Sequence, residues 1–277
     1  MQNNIMETIS LGRSREKIPS IGMGTWKLGK DPKKEIEALK AGISAGMRFI
    51  DTAEMYGTES LIGEAAKGEE VFIATKVSPN HFREKDVIKA CERSLKNLGT
   101  KSIDLYQLHW PNSAVPISET MRAMEELATK GIVRNIGVSN FSAQELEEAM
   151  GMMKKHEIVS NQIEYSMLVR DAESGLLDFC RKEHITVIAY SPLAQGALYS
   201  SKHKDLYAAI ERIGRRHGKS PTQVALNWVI SKGNIAAIPK ASSKEHVLDN
   251  AGAAAWSLGA EDLTELSNFL GKVERSP

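Results

Sequence analysis

The sequence predicts an α/β protein of the (β/α)8 barrel class, and three observations carry that prediction. Short apolar, β-prone runs alternate with amphipathic helical runs along most of the chain, the pattern of parallel strands joined by crossover helices. About eight such strands can be placed, enough to close a parallel sheet on itself. No linker, low-complexity run or composition shift divides the chain, so residues 1–277 read as one domain.

The first extra element is Met6 to Ile21, with Gly12 near its middle, which reads as a hairpin plugging the bottom of the barrel. Candidate strands then end near Gly24, Asp51, Lys76, His109, Val138, Gln162, Tyr190 and Lys240. Between them, apolar residues at three- and four-residue spacing predict helices over Glu35 to Ala45, Val87 to Leu98, Ser118 to Lys130, and Ala143 to Lys154. Ser142 and Glu145 form a capping-box pair at the start of the last of these. Ser220 and Pro221 open a helix over Thr222 to Ser231. Gly99, Gly131 and Gly233 fall where helices end. Leu193 to Lys204 and the helix after it read as an insertion following the seventh strand, and Ala260 to Leu270 as an extra C-terminal helix.

Composition excludes several function classes. The chain has 277 residues, 42% hydrophobic and 26% charged, with a formal net charge of +1. That balance favours neither nucleic acid nor an acidic membrane surface. No stretch approaches the roughly 18 apolar residues of a membrane span, and the N-terminus lacks a signal peptide's apolar core; a cytoplasmic location and a monomeric state are the expectations. Cys91 and Cys180 are in neither CxxC nor zinc spacing and are expected as buried free thiols. The seven histidines are scattered, so a metal site is not expected, and neither a GxGxxG nor a GxxxxGK[ST] motif is present.

The chemistry concentrates at strand ends. Asp51, Tyr56, Lys76 and His109 each follow a short β-prone run, and in a barrel those ends converge on one face. A tyrosine hydroxyl near its reference pKa of about 10 is a poor proton donor and acceptor at neutral pH. An ammonium beside it lowers that pKa, so Lys76 is expected to tune Tyr56 and Asp51 to orient Lys76. His109 would donate to a substrate carbonyl. The set suits protonation of an oxygen as negative charge develops on it; it lacks a nucleophile–base pair for acyl transfer. Singly, each residue is as readily structural: Asp51 a cap or barrel ion pair, Tyr56 packing, His109 a turn histidine.

The sequence also resembles the aldo-keto reductase family. The resemblance rests on Gly22-Met-Gly-Thr-Trp26, Phe49-Ile-Asp-Thr-Ala-Glu-Met-Tyr-Gly57, Ala74-Thr-Lys76, Asp104-Leu-Tyr-Gln-Leu-His-Trp-Pro111, Gly137-Val-Ser-Asn-Phe141, Asn161-Gln162, Ala189-Tyr-Ser-Pro-Leu193 and Ile238-Pro-Lys240, in the family's order from about residue 7 to residue 272. It implies a barrel binding NADP(H) at its C-terminal face and reducing aldehydes or ketones. Tyr56 matches the general acid/base, Lys76 and Asp51 its tuning partners, and His109 the residue that orients the carbonyl. Ser139, Asn140 and Gln162 match the carboxamide contacts, Tyr190 the ring under the nicotinamide, and Gly24, Thr25 and Asp51 contacts near its ribose. Ser191, Leu193, Gln195 and Gly196 match the loop over the pyrophosphate.

Lys240 matches the 2′-phosphate contact and Asn250 the adenine contact, with Ser242 between them. Ala241 lacks the family's usual hydroxyl, and His246 stands where the family has an arginine. A guanidinium is always charged and bidentate, whereas an ordinary imidazole is mostly neutral at neutral pH. Weaker discrimination is therefore expected, with NADP(H) the main cofactor and NAD(H) a second one. The short loop from Pro111 to Pro116 implies an open mouth lined by Trp26, Trp110 and Met55, suited to small aldehydes, α-dicarbonyls or keto-sugars. Two other readings remain: an NADP-binding regulatory protein with little turnover, and a barrel aldolase with Lys76 as Schiff-base nucleophile.

Overall fold

The computed structural model describes residues 6–271. Residues 1–5 and 272–277, the two ends of the single domain expected above, lie outside the described residues. The chain opens with β1 (Thr8–Ser10) and β2 (Lys17–Pro19), an antiparallel hairpin. Then follow β3 (Met23–Gly24), α1 (Pro32–Ser44), β4 (Phe49–Asp51), α2 (Glu59–Ala65), β5 (Phe72–Val77), α3 (Glu84–Leu98), β6 (Ile103–Leu108) and α4 (Ile117–Thr129). The second half holds β7 (Val133–Ser139), α5 (Ala143–Gly151), β8 (Ile158–Glu164), α6 (Leu176–Lys182), β9 (Thr186–Tyr190), α7 (Lys204–His217), α8 (Pro221–Ile230), β10 (Ile235–Ala237), α9 (Lys244–Ala251) and α10 (Ala260–Leu270).

β3 to β10 form one eight-stranded sheet in sequence order, each neighbour parallel to the next. Parallel bridges from Ile21 to Ala237 and from Gly24 to Lys240 join its two edges, which closes the barrel. At the second bridge only glycine fits: a Cβ on Gly24 would lie 2.7 Å from the carbonyl oxygen of Ile238. β10 is shorter than the sequence predicts, stopping at Ala237, because Pro239 has no N–H for the ladder.

Closing the sheet divides the apolar residues into two cores. One lies between the strands and the helices. The other fills the barrel interior with Phe49, Ala74, Leu105, Val159, Ile188 and Ala236, and with Leu11 and Ile18 from the hairpin. The hairpin is therefore the plug that the sequence predicts. Gly12, at φ +55°, sits so close to Val159 that a Cβ would meet its carbonyl oxygen at 2.7 Å, and its N–H donates to Thr186 Oγ1 at 2.8 Å.

Capping residues explain the helix boundaries. Asp31 accepts from Lys34 N and Pro32 takes the first turn, so α1 starts before Glu35. The Ser142–Glu145 and Ser220–Gln223 capping boxes are formed, and Gly99 ends α3 in a left-handed conformation. α5 ends before Lys154 because the Glu125 carboxylate takes the N–H groups of Lys154, Lys155 and His156 at 2.8, 2.7 and 3.0 Å. The insertion after β9 is two 3-10 turns, Ala194–Tyr199 and Ser201–His203, followed by α7. Cys91 and Cys180 are free and buried, and burial pushes both thiols up to about 12. Among the described residues no helix is long and apolar enough to cross a membrane.

Candidate active site

The C-terminal ends of the strands surround a cleft of about 750 Å³. Its floor is charged. Lys76, fully buried on β5, donates to Asp51 Oδ1 at 2.5 Å and to the Thr52 carbonyl at 2.8 Å. The other carboxylate oxygen, Asp51 Oδ2, accepts from Gln162 Nε2 at 2.8 Å and from Gln107 Nε2 at 3.2 Å. An ion pair this deep is tolerated because every strong partner is matched. Burial presses the Lys76 ammonium below its ordinary pKa, and the Asp51 charge and hydrogen bond oppose that shift.

Above the floor, Tyr56 and His109 meet. The tyrosine hydroxyl lies 3.3 Å from His109 Nε2, with the rings edge to face and their centres 5.4 Å apart. Burial, helped by the Lys76 charge, lowers the His109 imidazole to about 3, so at neutral pH it is uncharged and one ring nitrogen carries the proton. His109 Nδ1 is buried and has no hydrogen-bond partner. A proton on Nε2 leaves Nδ1 as the unprotonated nitrogen and puts the donor toward Tyr56 and the cleft.

Burial raises the Tyr56 hydroxyl well above its ordinary value, and the charge of Asp51 and the neighbouring Tyr190 add to the rise. The hydrogen bonds of Lys76 go to Asp51 and Thr52, and its Nζ lies 5.1 Å from the centre of the Tyr56 ring. Tyr56 is thus a protonated phenol at neutral pH, the form able to give a proton to a developing alkoxide.

One wall of the cleft is a polar lattice. Tyr190 OH donates to Asn140 Oδ1 at 3.0 Å, and Asn140 Nδ2 donates to the His109 carbonyl at 3.1 Å and to Ser139 Oγ at 3.0 Å. Ser139 Oγ donates in turn to the Gln162 carbonyl at 3.0 Å. Burial pushes the Tyr190 hydroxyl up to about 12. The backbone beside this wall is strained. Lys27, Asn140, Ser191, Ala194 and Gln195 all have φ between 47° and 64° without being glycine. Such residues cost of order 1–3 kcal/mol each and cluster where chains clamp ligands. The others, His184 and Asn234, lie in the turns leading into β9 and β10 at the opposite end.

Gly24, Thr25, Trp26, Asp51, Met55, Tyr56, His109 and Trp110 all line the cleft, as do Ser139, Asn140, Gln162, Tyr190, Ser191, Leu193, Gln195, Gly196 and Lys240. Lys76 lies just beneath. Ser242, His246 and Asn250 are not on its wall. They follow β10, at and along α9, where His246 is exposed and Asn250 is buried. Sequence reasoning missed Lys27, Glu164, Pro192, Tyr199, Ile238 and Pro239 on the wall and Gln107 below it. Two of these carried a signal: Gln107 precedes His109 by two residues and Glu164 follows Gln162 by two, so strand alternation places each pair on one face.

This arrangement has relatives. Residues 20–270 match the model of the Aldo/keto reductase family. The chain belongs to the aldo/keto reductase family. As a member it is an NAD(P)H-dependent oxidoreductase. It is 40% identical over 258 residues to methylglyoxal reductase YeaE of Escherichia coli, covering 90% of each chain. It is 33% identical over 282 residues to glyoxal reductase of Bacillus subtilis, covering 99% of this chain and 96% of the other. A crystal structure of an aldo/keto reductase from Klebsiella pneumoniae in complex with NADP and acetate superposes with a TM-score of 0.87 at 35% identity, covering 96% of each chain.

Proposed function

We propose that this chain reduces small aldehydes and α-dicarbonyls to alcohols with NADPH, and that Tyr56 supplies the proton. The observation that carries the reading is the contact between the Tyr56 hydroxyl and the neutral His109 at 3.3 Å, directly above the buried Asp51–Lys76 pair. When bound, the dinucleotide supplies a hydride, and the protein must quench the negative charge that grows on the substrate oxygen. His109 holds that oxygen by an Nε2–H bond, and the Tyr56 phenol delivers the proton. The floor beneath holds a compensated positive charge that favours the phenolate left behind.

The residues of the cleft fit the cofactor. Tyr190 offers a flat ring, and Ser139 and Asn140 offer amide and hydroxyl groups for a carboxamide. The Gln162 amide nitrogen is bonded to Asp51, so Gln162 would meet a carboxamide with its carbonyl oxygen. Gly24 and Thr25 would contact the ribose. The strained segment with Ser191, Leu193, Gln195 and Gly196 would cover the pyrophosphate, with Lys240 reaching the 2′-phosphate. Ser242, His246 and Asn250 are assigned to the adenosine end. With a histidine in place of arginine there, NADP(H) is the main cofactor and NAD(H) is accepted.

The rim supports a small substrate. Trp26, Met55 and Trp110 are 45%, 59% and 47% exposed, so the mouth is apolar and open rather than a deep tunnel. The relatives named methylglyoxal and glyoxal reductase point the same way. A Schiff-base role for Lys76 is disfavoured by its complete burial and its bond to Asp51. We assign the protein as a monomer acting in the cytoplasm. The test follows NADPH absorbance with methylglyoxal, glyoxal and glyceraldehyde for the wild type and Tyr56→Phe. The expected result is wild-type turnover that falls by roughly 10²–10⁴-fold in the variant, with NADPH still bound. Tight NADPH binding without turnover on any of these carbonyls would favour a regulatory protein instead.

A further inference from the structure

The segment that carries Tyr56 is held in an unusual way. Glu54–Tyr56 is a single 3-10 turn between β4 and α2, and none of its residues is fully buried. The bond from Thr52 N–H to the Ala74 carbonyl, at 2.8 Å, is the last described backbone bond joining the β4 segment to β5. Beyond it the described backbone bonds of the turn are its own, from Tyr56 N–H to the Ala53 carbonyl and from Gly57 N–H to the Glu54 carbonyl at 3.0 and 3.4 Å.

Besides the Tyr56 hydroxyl, which meets His109, a second side chain reaches back to the strand exit. The Glu54 carboxylate, 12% exposed, accepts from the backbone N–H of Ser78 at 2.5 Å, two residues past Lys76. The same oxygen is 2.9 Å from His81 Nδ1, and the second oxygen accepts from Arg93 Nη2 on α3 at 3.3 Å. His81 and Arg93 are largely solvated, with side chains 40% and 51% exposed, and ion pairs of that kind hold little. The bond to Ser78 N–H is different: its donor is a backbone group held by the strand exit, and donor and acceptor both lie in a nearly buried setting.

We propose that Glu54 is a positioning residue, whose carboxylate ties the turn bearing Tyr56 to the exit of the strand bearing Lys76. It sets the height of the phenol above the Asp51–Lys76 floor and its distance from His109. The proposal rests on the reading of Tyr56 as proton donor. It adds that the placement of this donor depends on the reach of one side chain rather than on its charge.

Three substitutions separate reach from charge. Glu54→Gln keeps an oxygen able to accept from Ser78 N–H but loses the charge. Glu54→Asp keeps the charge but is one methylene short. Glu54→Ala loses both. Steady-state rates on methylglyoxal, NADPH dissociation constants and hydrogen exchange at the amides of Tyr56 and Ser78 would be measured for all three and for Tyr56→Phe. The expected result is a kcat roughly tenfold lower in Glu54→Asp and Glu54→Ala, with KM and NADPH binding unchanged, faster exchange at both amides, and near-complete rescue by Glu54→Gln.

Equal kcat and unchanged exchange in Glu54→Asp would overturn the proposal. So would a Glu54→Gln variant as impaired as Glu54→Ala, since the ion pairs would then be what matters. If Tyr56→Phe retains full turnover, the proton-donor reading fails by itself, and the exchange rates still decide whether the tether exists. Should Glu54→Ala not fold, the Gln and Asp variants carry the comparison alone.

Discussion

The two mouths of this barrel are built on opposite principles. The lower one is sealed by a hairpin whose Leu11 and Ile18 are fully buried in the interior core, and whose backbone groups at Ser10 and Gly12 are matched by Thr186. The upper one keeps a buried ion pair, a hydroxyl–imidazole contact, a buried ring nitrogen without a partner and a run of left-handed non-glycine residues. Apolar closure at one end supplies stability that the other end gives up. Strain and buried charge are affordable where the rest of the barrel determines the backbone path.

That contrast can be broken by substitution. The largest stability effect belongs to the upper floor. Lys76→Met leaves the Asp51 carboxylate buried without its counter-charge and is expected to cost about 3–5 kcal/mol in urea unfolding, along with activity. A loss below 1 kcal/mol would mean that the two glutamine amides alone carry the carboxylate. Next is the plug. Leu11→Ala opens a cavity in the interior core and should cost about 2–5 kcal/mol while leaving kcat of the folded enzyme unchanged. A plug variant that lost turnover in its folded state would show that the ends are coupled, and the division drawn here would fail.

The smallest effect is a pH slope that His109 gives the upper mouth. Burial holds His109 neutral, with its pKa lowered to about 3, whereas the unfolded chain protonates an ordinary histidine near about 6.5. Between those values the unfolded state binds more protons, so stability rises with pH and is lost as pH falls from 6.5 toward 3. The contribution is up to about 1.4 kcal/mol per pH unit within that window. Urea unfolding at pH 7 and pH 5 should show a drop in the wild type that shrinks in His109→Gln. Equal drops in both proteins would place the acid sensitivity elsewhere.

Much of this architecture is legible in the sequence. Asp51, Lys76 and His109 announce themselves because a polar residue ending an apolar β-run has one place to go in a closed parallel barrel. The hairpin is legible from Gly12 near the middle of Met6 to Ile21, and the α5 start from Ser142 and Glu145. What was not legible depends on contacts across the barrel. Gln107 and Gln162 both reach Asp51 from strands 56 and 111 residues further along, and spacing alone assigns neither amide to that carboxylate. The burial that raises the Tyr56 hydroxyl is likewise supplied by segments distant in sequence.

By itself, then, the sequence determined the barrel, its plug, and which strand ends bear titratable groups, because these follow from local periodicity and turn chemistry. Only the tertiary structure decided the partners within the cleft, the direction in which burial moves His109 and Tyr56, and the Glu54–Ser78 bond. Desolvation and hydrogen-bond geometry arise only when distant strands surround the same few atoms, and they are not properties of any one segment.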